Sequence, residues 1–306
     1  MFASIDETVS KLRDVGYFAS REIATTAFLA DRLEKPILIE GPAGVGKTDL
    51  ARALAEGEGR KLLRLQCYEG LDEGKALYEW EYAKQLLYTQ LLRDKIGEAL
   101  QGTTTIAEAV ERIGQSDAVF FSERFLLPRP VLQAILAKEP TLLLIDEIDK
   151  ADPEFEAFLL EMLQDYSVTV PELGTFRATL LPRVILTSNN ARELSDALKR
   201  RCLHLYIDFP DAAREVEILR ARVPGISEKL AANAVSAVQK LRSLDLKKAP
   251  SIAETIDWGK ALVLLGADAL DPRLVSDTLS VLLKYESDLA RARDQLAEVV
   301  AAGREH

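Results

Sequence analysis

The sequence predicts an α/β fold, in which a parallel sheet carries helices on both faces, followed by a smaller all-helical part. Two observations support this class. Short, continuous apolar runs alternate with helical patterns over the first two-thirds of the chain, and such runs are typical of strands that are buried on both faces. After Pro210 nearly every segment has helical spacing. We therefore predict an α/β domain over residues 1–208 and a helical domain over residues 209–306.

Apolar periodicity and capping residues place the individual elements. The helices are expected at 4–15, 20–34, 47–58, 80–100, 104–113, 212–222, 227–243, 253–265 and 272–301, the last of them broken, and the strands at 37–39, 62–68, 141–146, 184–188 and 203–208. The stretch SVTVPELGTFRA alternates like a hairpin, with Pro171 and Gly174 at its tip.

Composition narrows the class of protein. Hydrophobic residues make up 48% and charged residues 29% of the 306 positions, which is typical of a globular chain and not of a disordered acidic one. The chain carries 39 basic and 49 acidic residues, of which only 14 and 15 lie from Phe209 onward. Proteins that bind nucleic acid usually present a basic face. The charge therefore argues against a nucleic-acid partner, although an acidic chain can still hold a local basic patch.

Other features exclude further classes. No apolar run approaches the ~18 residues of a membrane span, and the first residues, MFASIDETVSKLRDVG, fit neither a signal peptide nor a transit peptide. Cys67 and Cys202 lie far apart, and the chain has two histidines, so neither a disulfide framework nor a Cys/His metal site is indicated. We expect a cytoplasmic protein without a membrane span.

A glycine-rich loop with the spacing G-x-x-x-x-G-K-T follows the first predicted strand and precedes a helix, which is the context that this motif requires. It consists of Gly41, Pro42, Ala43, Gly44, Val45, Gly46, Lys47 and Thr48. Glycines let backbone N–H groups converge on phosphates, and the helix N-terminus adds its positive dipole end. Lys47 is expected to reach the β- and γ-phosphates, and the Thr48 hydroxyl to ligate Mg²⁺. A glycine turn without a ligand is the alternative.

Two adjacent carboxylates, Asp146 and Glu147, follow the apolar run TLLLI. They therefore lie at the carboxyl edge of the sheet, where open α/β folds bind ligands. We expect Asp146 to hold Mg²⁺ through water and Glu147 to polarise the attacking water. A core strand followed by a charged helix cap is the alternative. The carboxylate pair favours hydrolysis over transfer to a metabolite, and the sequence has no Asn-Lys-x-Asp stretch, so ATP is favoured over GTP.

A third polar segment follows the strand predicted at 184–188. Its Thr-Ser-Asn-Asn stretch, 187–190, suits an amide side chain placed near the γ-phosphate and the attacking water. A short helix then presents Arg200 and Arg201 just before the next strand. Arginines in such a place are usually solvated, but this position also suits an arginine finger that acts on the nucleotide of a neighbouring subunit.

These elements, in this order and with a helical part behind them, resemble the AAA+ ATPases and their P-loop parallel sheet. More narrowly, the chain is similar to the MoxR branch and, within it, to proteins linked to maturation of molybdenum-containing carbon monoxide dehydrogenase. Four stretches carry this closer similarity: YEGLDEGKALYEWEYAKQLL (68–87), RFLLPRPVLQAI (124–135), DEIDKADPEFEAFLLEMLQDYSVTVPELGTFRA (146–178) and TSNNARELSDALKRRCLHLYIDFP (187–210).

The resemblance implies roles for particular residues. The phosphate loop would use Gly41, Gly44, Gly46, Lys47 and Thr48, the acidic pair would be Asp146 and Glu147, the polar sensor of hydrolysis would be Asn189 or, as the alternative, Asn190, and the finger acting in trans would be Arg201 or, as the alternative, Arg200. Proteins of this class form rings, usually hexamers, with nucleotide at each subunit boundary. A ring accounts for a residue that a subunit cannot use on its own nucleotide.

One stretch departs from the family pattern. AAA+ proteins commonly carry an arginine early in the third helix of the helical lid, where it contacts the γ-phosphate of the same subunit. The corresponding stretch here, KKAPSIAETIDWGKAL, offers Lys247, Lys248 and Glu254, and no arginine lies between residues 243 and 272. Either a lysine substitutes for it, or the lid is coupled to the nucleotide differently.

Weaker signals leave two interpretations each. Residues 125–127 are expected either to expose apolar side chains toward a ring centre or to pack on the core. The hairpin at 167–178 faces a partner or substrate in MoxR-like proteins, and a surface hairpin without a partner is the alternative. Tyr17 and Phe18 either flank an adenine or pack the first helices. His204 is expected to be structural.

The sequence thus predicts an ATP- and Mg²⁺-dependent ring chaperone or motor that remodels a protein client, in the insertion or activation of a metal cofactor in an oxidoreductase. The resemblance also implies an adaptor with a von Willebrand factor A domain and a metalloenzyme client. A DNA-associated AAA+ ATPase of the clamp-loader or helicase type is the alternative, and it would need a basic channel. A scaffold that binds nucleotide without hydrolysis would need a broken acidic pair, which is intact here.

Overall fold

The structure, a computed structural model, describes residues 2–91, 122–171 and 173–302. The strands are β1 (Ile37–Glu40), β2 (Lys61–Gln66), β3 (Tyr78–Trp80), β4 (Leu126–Pro128), β5 (Thr141–Asp146), β6 (Ser167–Val170), β7 (Gly174–Arg177), β8 (Arg183–Ser188) and β9 (Leu203–Tyr206). Five of them form a sheet in the order β2-β5-β8-β1-β9, and each neighbouring pair is parallel. The predicted α/β class with a helical C-terminal part is confirmed.

Helices surround the sheet and make up the C-terminal part. They are α1 (Ile5–Asp14), α2 (Arg21–Arg32), α3 (Lys47–Gly57), α4 (Glu73–Leu77), α5 (Tyr82–Leu91), α6 (Pro130–Ile135), α7 (Pro153–Asp165), α8 (Asp196–Arg201), α9 (Ala212–Arg222), α10 (Glu228–Arg242), α11 (Ile252–Leu264), α12 (Pro272–Leu282), α13 (Glu286–Asp294) and α14 (Leu296–Ala302). Within the described ranges, none of these helices has the length and apolar character that a bilayer span requires.

The sheet is buried on both faces, as the continuous apolar runs predict. Successive residues of a strand point to opposite faces, and along β5 they enter two different buried clusters. Leu143 and Ile145 belong to the cluster that includes α6 and α7, whereas Leu142 and Leu144 belong to the cluster that includes α1, α2 and α3. Both faces of β5 therefore need apolar side chains, which explains the absence of polar alternation in the sequence.

The C-terminal helices have a buried cluster of their own. It draws on residues between Leu219 and Val300, and at its centre Trp258 is fully buried. The indole N–H of Trp258 donates to the hydroxyl of Thr278 at 2.8 Å, so its polar atom is satisfied inside the core. The long helix predicted at 272–301 is broken into α12, α13 and α14, as expected.

The helix predicted at 80–100 is wrong at its start. Trp80 is the last residue of β3, which pairs antiparallel with β4 and sets Trp80 opposite Leu126. Helix α5 begins only at Tyr82. Burial of Trp80 against the main core outweighs the helical spacing, because local propensity is weak compared with tertiary packing. Residues 92–100 and the helix predicted at 104–113 lie outside the described residues.

The three residues of the apolar stretch 125–127 do not share one environment, so neither exposure toward a ring centre nor packing on the core describes them all. Phe125 and Leu126 are buried in the same cluster as Trp80, whereas Leu127 is 45% exposed. Packing on the core therefore accounts for the first two side chains, and only Leu127 faces outward.

The hairpin predicted at 167–178 is confirmed. Strands β6 and β7 form an antiparallel hairpin in which Val170 pairs with Gly174. Cys67 and Cys202 are buried, and burial raises the pKa of each thiol to about 12, as expected for inert core groups. His204 lies on β9, and its Nε2 lies 2.6 Å from the Glu40 carboxylate, a hydrogen bond between neighbouring strands.

A buried charge network joins elements at the opposite edge of the sheet from the polar strand ends. The guanidinium of Arg183, at the start of β8, donates to the carboxylate of Glu58, which also accepts from Arg60 Nε at 2.6 Å. The side chains of Glu58 and Arg183 are 0% and 4% exposed. Breaking such a buried pair is costly, because the remaining charge is left desolvated.

Replacing Glu58 by alanine should therefore lower the free energy of unfolding by about 3–5 kcal/mol, measured by urea denaturation followed by circular dichroism. The matched control is Glu139→Ala, which breaks an exposed pair with Lys61 whose side chains are 62% and 60% accessible. The control should lose less than about 1 kcal/mol. Equal losses in the two variants would contradict the assignment of a buried network.

Candidate nucleotide site at the carboxyl edge of the sheet

Three strand ends bring the predicted site residues together. Strand β1 runs into the glycine-rich loop, β5 ends in Asp146, and β8 ends in Ser188. Because β8 pairs with both β1 and β5, the residues that follow β8 lie between the loop and the acidic pair. The sequence predicts each segment, but the strand order is what makes them one site.

The backbone of the loop requires its glycines. Gly41, Gly44 and Gly46 have φ values of 145°, 77° and 95°, in the region that side chains disfavour. A Cβ at Gly41 would lie 2.0 Å from the carbonyl oxygen of Ile207. Gly46 then serves as the N-cap of α3, so the loop leads directly into a helix N-terminus, where backbone N–H groups and the dipole favour an anion.

Lys47 is 6% exposed and lies inside the loop. Its Nζ donates to the carbonyl oxygens of Gly41 and Pro42 at 2.6 and 2.7 Å and to Oδ1 of Asn189 at 2.7 Å. Burial lowers the pKa of the Lys47 amine below its usual range, and Asp149 is the largest of the nearby charges that oppose this shift. The amine is therefore held on weak neutral acceptors that phosphate oxygens can replace.

Thr48 and Asp146 offer oxygen ligands beside the loop. The hydroxyl of Thr48 donates to the Asp146 carboxylate at 3.1 and 3.2 Å, and Asp146 is 2% exposed. A hydroxyl and a carboxylate are the hard ligands that Mg²⁺ prefers, with phosphate oxygens and waters completing its shell. Among the described residues no cluster of three His, Cys, Asp or Glu side chains could hold a metal unaided. The donor set fits a metal that binds together with phosphates.

Glu147 occupies a left-handed backbone position, with φ of 58°, which non-glycine residues rarely adopt. The hydroxyl of Thr187 accepts its backbone N–H at 2.9 Å. The Glu147 carboxylate accepts hydrogen bonds from the side chains of Asn189, Gln66 and Lys150 at 3.0, 2.8 and 2.6 Å. Its position is thus fixed from both the backbone and the side chain.

The structure distinguishes the two candidate asparagines by position. The Asn189 amide bridges Lys47 and Glu147, so it joins the loop to the acidic pair. The Asn190 side chain instead lies 3.5 Å from the hydroxyl of Ser188. Asp149 holds this turn, since one of its oxygens accepts from the backbone N–H groups of Asn189 and Ala191 at 3.1 and 2.9 Å.

Arg64 and Gln66 contact the acidic pair although no sequence motif marks them. Both lie on β2, two residues apart and therefore on one face of the strand, and β2 pairs with β5 so that Gln66 is opposite Asp146. Arg64 donates to the Asp146 carboxylate from Nε and from one terminal nitrogen at 3.0 and 2.6 Å. The sequence did contain one signal for these two residues: they are polar and lie at alternate positions of β2, the strand that pairs with the strand ending in Asp146.

Arg200 and Arg201 end α8 and line neither of the two cavities beside the glycine-rich loop. The Arg201 guanidinium donates to the side-chain oxygen of Gln164 on α7 at 2.9 Å, and Arg200 is exposed. The structure therefore does not bring these arginines to the site of their own chain.

The loop lies between two adjoining cavities. The smaller, of about 300 Å³, is lined by Lys47, Thr48, Asp146, Glu147 and Asn189, and also by Ala253. The larger, of about 460 Å³, is lined by Tyr17, Phe18, Val45, Phe209, Ile218 and Ile256 among others. Charged side chains such as Asp49, Asp211 and Arg214 also line the larger cavity, and its aromatic and aliphatic groups suit a base next to the phosphates. Both interpretations of Tyr17 and Phe18 are compatible with this position.

The C-terminal helices reach the loop at the start of α11. The N–H of Ile252 donates to the carbonyl oxygen of Gly44 at 3.3 Å, and a Cβ at Gly44 would lie 2.3 Å from the Cβ of Ser251. Neither Lys247 nor Lys248, the two lysines considered as substitutes for the lid arginine, lines the smaller cavity. Lys248 pairs with Glu254 at 3.5 Å, and the Lys247 ammonium lies 4.2 Å from the centre of the Tyr285 ring.

Several known proteins are similar to this chain. The Gas vesicle ATPase GvpN1 of Halobacterium salinarum is 24% identical over 87% of this chain and 74% of its own length. An uncharacterized Staphylococcus aureus protein, SAB1265c, is 31% identical over 58% of this chain and 57% of its own length. A mutant RuvB from Thermotoga maritima superposes over 92% of this chain and 71% of its own, with a TM-score of 0.48 and 18% identity.

A family profile gives the firmest relationship. The AAA domain of the dynein-related subfamily matches residues 36–202, which is more than half of the chain and includes the glycine-rich loop, the acidic pair and Asn189. The ATPase activity of this family accords with the loop, the acidic pair and the bridging asparagine described above. The chain belongs to the dynein-related subfamily of AAA domain ATPases and is homologous to the gas vesicle ATPases.

Proposed function

We propose that this ATPase is a ring-forming chaperone or motor of the MoxR type, which remodels a protein client during insertion or activation of a metal cofactor in an oxidoreductase. The observation that carries the ATPase part is the Asn189 amide, which joins Lys47 to Glu147. The client part rests on the resemblance of residues 68–87, 124–135, 146–178 and 187–210 to proteins linked to maturation of molybdenum-containing carbon monoxide dehydrogenase.

The geometry supports a division of roles at the site. The loop N–H groups and Lys47 would bind the phosphates of ATP, and Thr48 and Asp146 would hold Mg²⁺, which supplies neutralising positive charge when bound. Glu147 would accept a proton from the attacking water, and Asn189 would orient that water. Asn189 and Gln66 both donate to the Glu147 carboxylate in this structure, so we infer that these bonds rearrange before hydrolysis.

A ring gives Arg201 a use. The position of Arg200 and Arg201 away from their own loop supports a role in trans, in which Arg201 contacts the nucleotide of the adjacent subunit. We propose a homo-oligomer, hexameric by family resemblance, with Arg200 as the alternative finger.

Coupling to a client would use the C-terminal helices, residues 209–306, as a lid. Because α11 contacts the loop through backbone atoms at Gly44, a shift of the loop on nucleotide turnover would move the lid without a lid arginine. An adaptor with a von Willebrand factor A domain is part of the proposal by resemblance. The DNA-associated alternative would need a basic channel, and the net charge of −10 argues against it.

The Glu147→Gln variant should still bind ATP, but its rate of phosphate release should fall by about 10²-fold or more. The reason is that an amide cannot accept the proton of the attacking water. Binding is measured with a fluorescent ATP analogue and turnover by a coupled phosphate assay. The exposed Glu139→Gln variant is the matched control and should turn over normally. Unchanged phosphate release in Glu147→Gln would contradict the assignment of the general base.

Arg201→Ala should reduce turnover by about 10³-fold if Arg201 is the finger, while Lys47→Ala should abolish nucleotide binding. An equal mixture of the two variants should recover roughly a quarter of the wild-type rate, the frequency of an intact pair in a random ring. Lys199→Ala, on the same helix, is the control. Full turnover of Arg201→Ala alone would exclude the role, and the same assays on Arg200→Ala test the alternative.

The Glu147→Gln variant, loaded with ATP, should retain its client long enough for capture and mass spectrometry. We expect a metalloenzyme of the oxidoreductase class or a protein with a von Willebrand factor A domain, absent from a parallel Lys47→Ala preparation.

Fluorescence anisotropy with duplex DNA should show no binding at low salt. Salt-sensitive DNA binding would instead favour the clamp-loader or helicase alternative.

A further inference from the structure

Arg64 contacts the carboxylate that is proposed to hold the metal, and the proposed mechanism gives it no role. Its guanidinium places two nitrogens, at 3.0 and 2.6 Å, on the same Asp146 oxygen, Oδ2. The other oxygen, Oδ1, already accepts from the hydroxyls of Thr48 and Thr187. Both oxygens of Asp146 are thus engaged by donors of the chain itself.

The contact compensates a charge that would otherwise be isolated. The Asp146 side chain is 3% exposed and that of Arg64 is 50% exposed, so a solvated cation reaches inward to a buried anion. An ionised carboxylate buried without a cationic partner is costly. Arg64 supplies this partner from within the chain, and its half-solvated side chain is free to move into solvent when another cation takes its place.

A divalent cation at Asp146 would conflict with this arrangement. Mg²⁺ held by Asp146 through one water would lie roughly 4 Å from the carboxylate oxygen, and the Arg64 guanidinium donates to that same carboxylate at 2.6 Å. Two cations at such a distance repel each other strongly. Metal binding at Asp146 therefore requires that Arg64 move away or that additional negative charge be present. The phosphates of a nucleotide bring that charge.

We propose that Arg64 is an internal counter-ion of Asp146 that excludes divalent metal until a nucleotide is bound. It is a positioning residue that acts through Asp146. Its effect is to make metal binding dependent on nucleotide, so that the site stays ordered before either ligand arrives. The inference rests on the proposed metal-binding role of Asp146 and is independent of the client.

The neighbouring cations do not replace Arg64 in this role. Lys150 pairs with Glu147 at 2.6 Å, and Lys47 donates to backbone carbonyls and to Asn189. Arg64 is the cationic side chain within hydrogen-bond distance of Asp146 among the described residues. Removing it should therefore change the metal affinity of Asp146 and leave the loop intact.

The test uses Mn²⁺ as a paramagnetic substitute for Mg²⁺, titrated into the full chain and followed by electron paramagnetic resonance, first without nucleotide and then with ADP. Arg64→Gln should lower the half-saturating Mn²⁺ concentration of the nucleotide-free protein by about tenfold, which corresponds to about 1.4 kcal/mol. With ADP the difference from wild type should shrink. Arg64→Lys, which keeps the charge but lacks the forked donor, should lie between the two.

Lys61→Gln is the control, because it removes a positive charge from the same strand at an exposed pair with Glu139. It should bind Mn²⁺ like wild type. Unchanged or weaker Mn²⁺ binding in a folded Arg64→Gln protein would overturn the proposal, and if that variant does not fold, the same result in Arg64→Met, which also removes the charge, would do so. Asp146→Asn separates this outcome from a failure of the site: if it leaves Mn²⁺ binding intact, the metal role of Asp146 itself is wrong.

Discussion

The parallel pairing of β8 with both β1 and β5 is the constraint on which the site depends. It places the turn after β8 between the glycine-rich loop and a pair of carboxylates. Without that strand order, Lys47 and Glu147 would have no common partner, and Asn189 would be an ordinary loop residue. Apolar side chains on both faces of these strands stabilise the order, so the geometry of the site rests on the hydrophobic core.

The sequence predicts the parts of this site better than their contacts. The loop, the acidic pair and Asn189 stand out because each follows an apolar strand and has chemistry of its own. Arg64 and Gln66 do not stand out, since an arginine and a glutamine on a strand are common until the neighbouring strand is known. Trp80 shows the opposite failure: its spacing is helical, but pairing with β4 decides its structure. The division at residue 208 and the roles of Arg200 and Arg201 stay predictions.

Some of the acidic residues have structural roles. Several carboxylates of the first 208 residues are held by cations or N–H groups from other elements. Glu58 holds Arg183, Glu156 holds Arg192, and Asp149 accepts two backbone N–H groups. These acidic groups fasten loops and strand ends to one another, so part of the charge is structural and is not an outer surface available to partners.

The close approach of Gly44 to Ser251 has one more consequence. No methyl group fits between them, and Ser251 with Glu254 forms the capping box that starts α11. The loop and the first turn of α11 are therefore closely packed, and the hydrogen bond from the Ile252 N–H to the Gly44 carbonyl oxygen links them. The amide proton of Ile252 should exchange with solvent at a rate set by the loop, which makes a single backbone amide in the helical part a reporter of events at the phosphates.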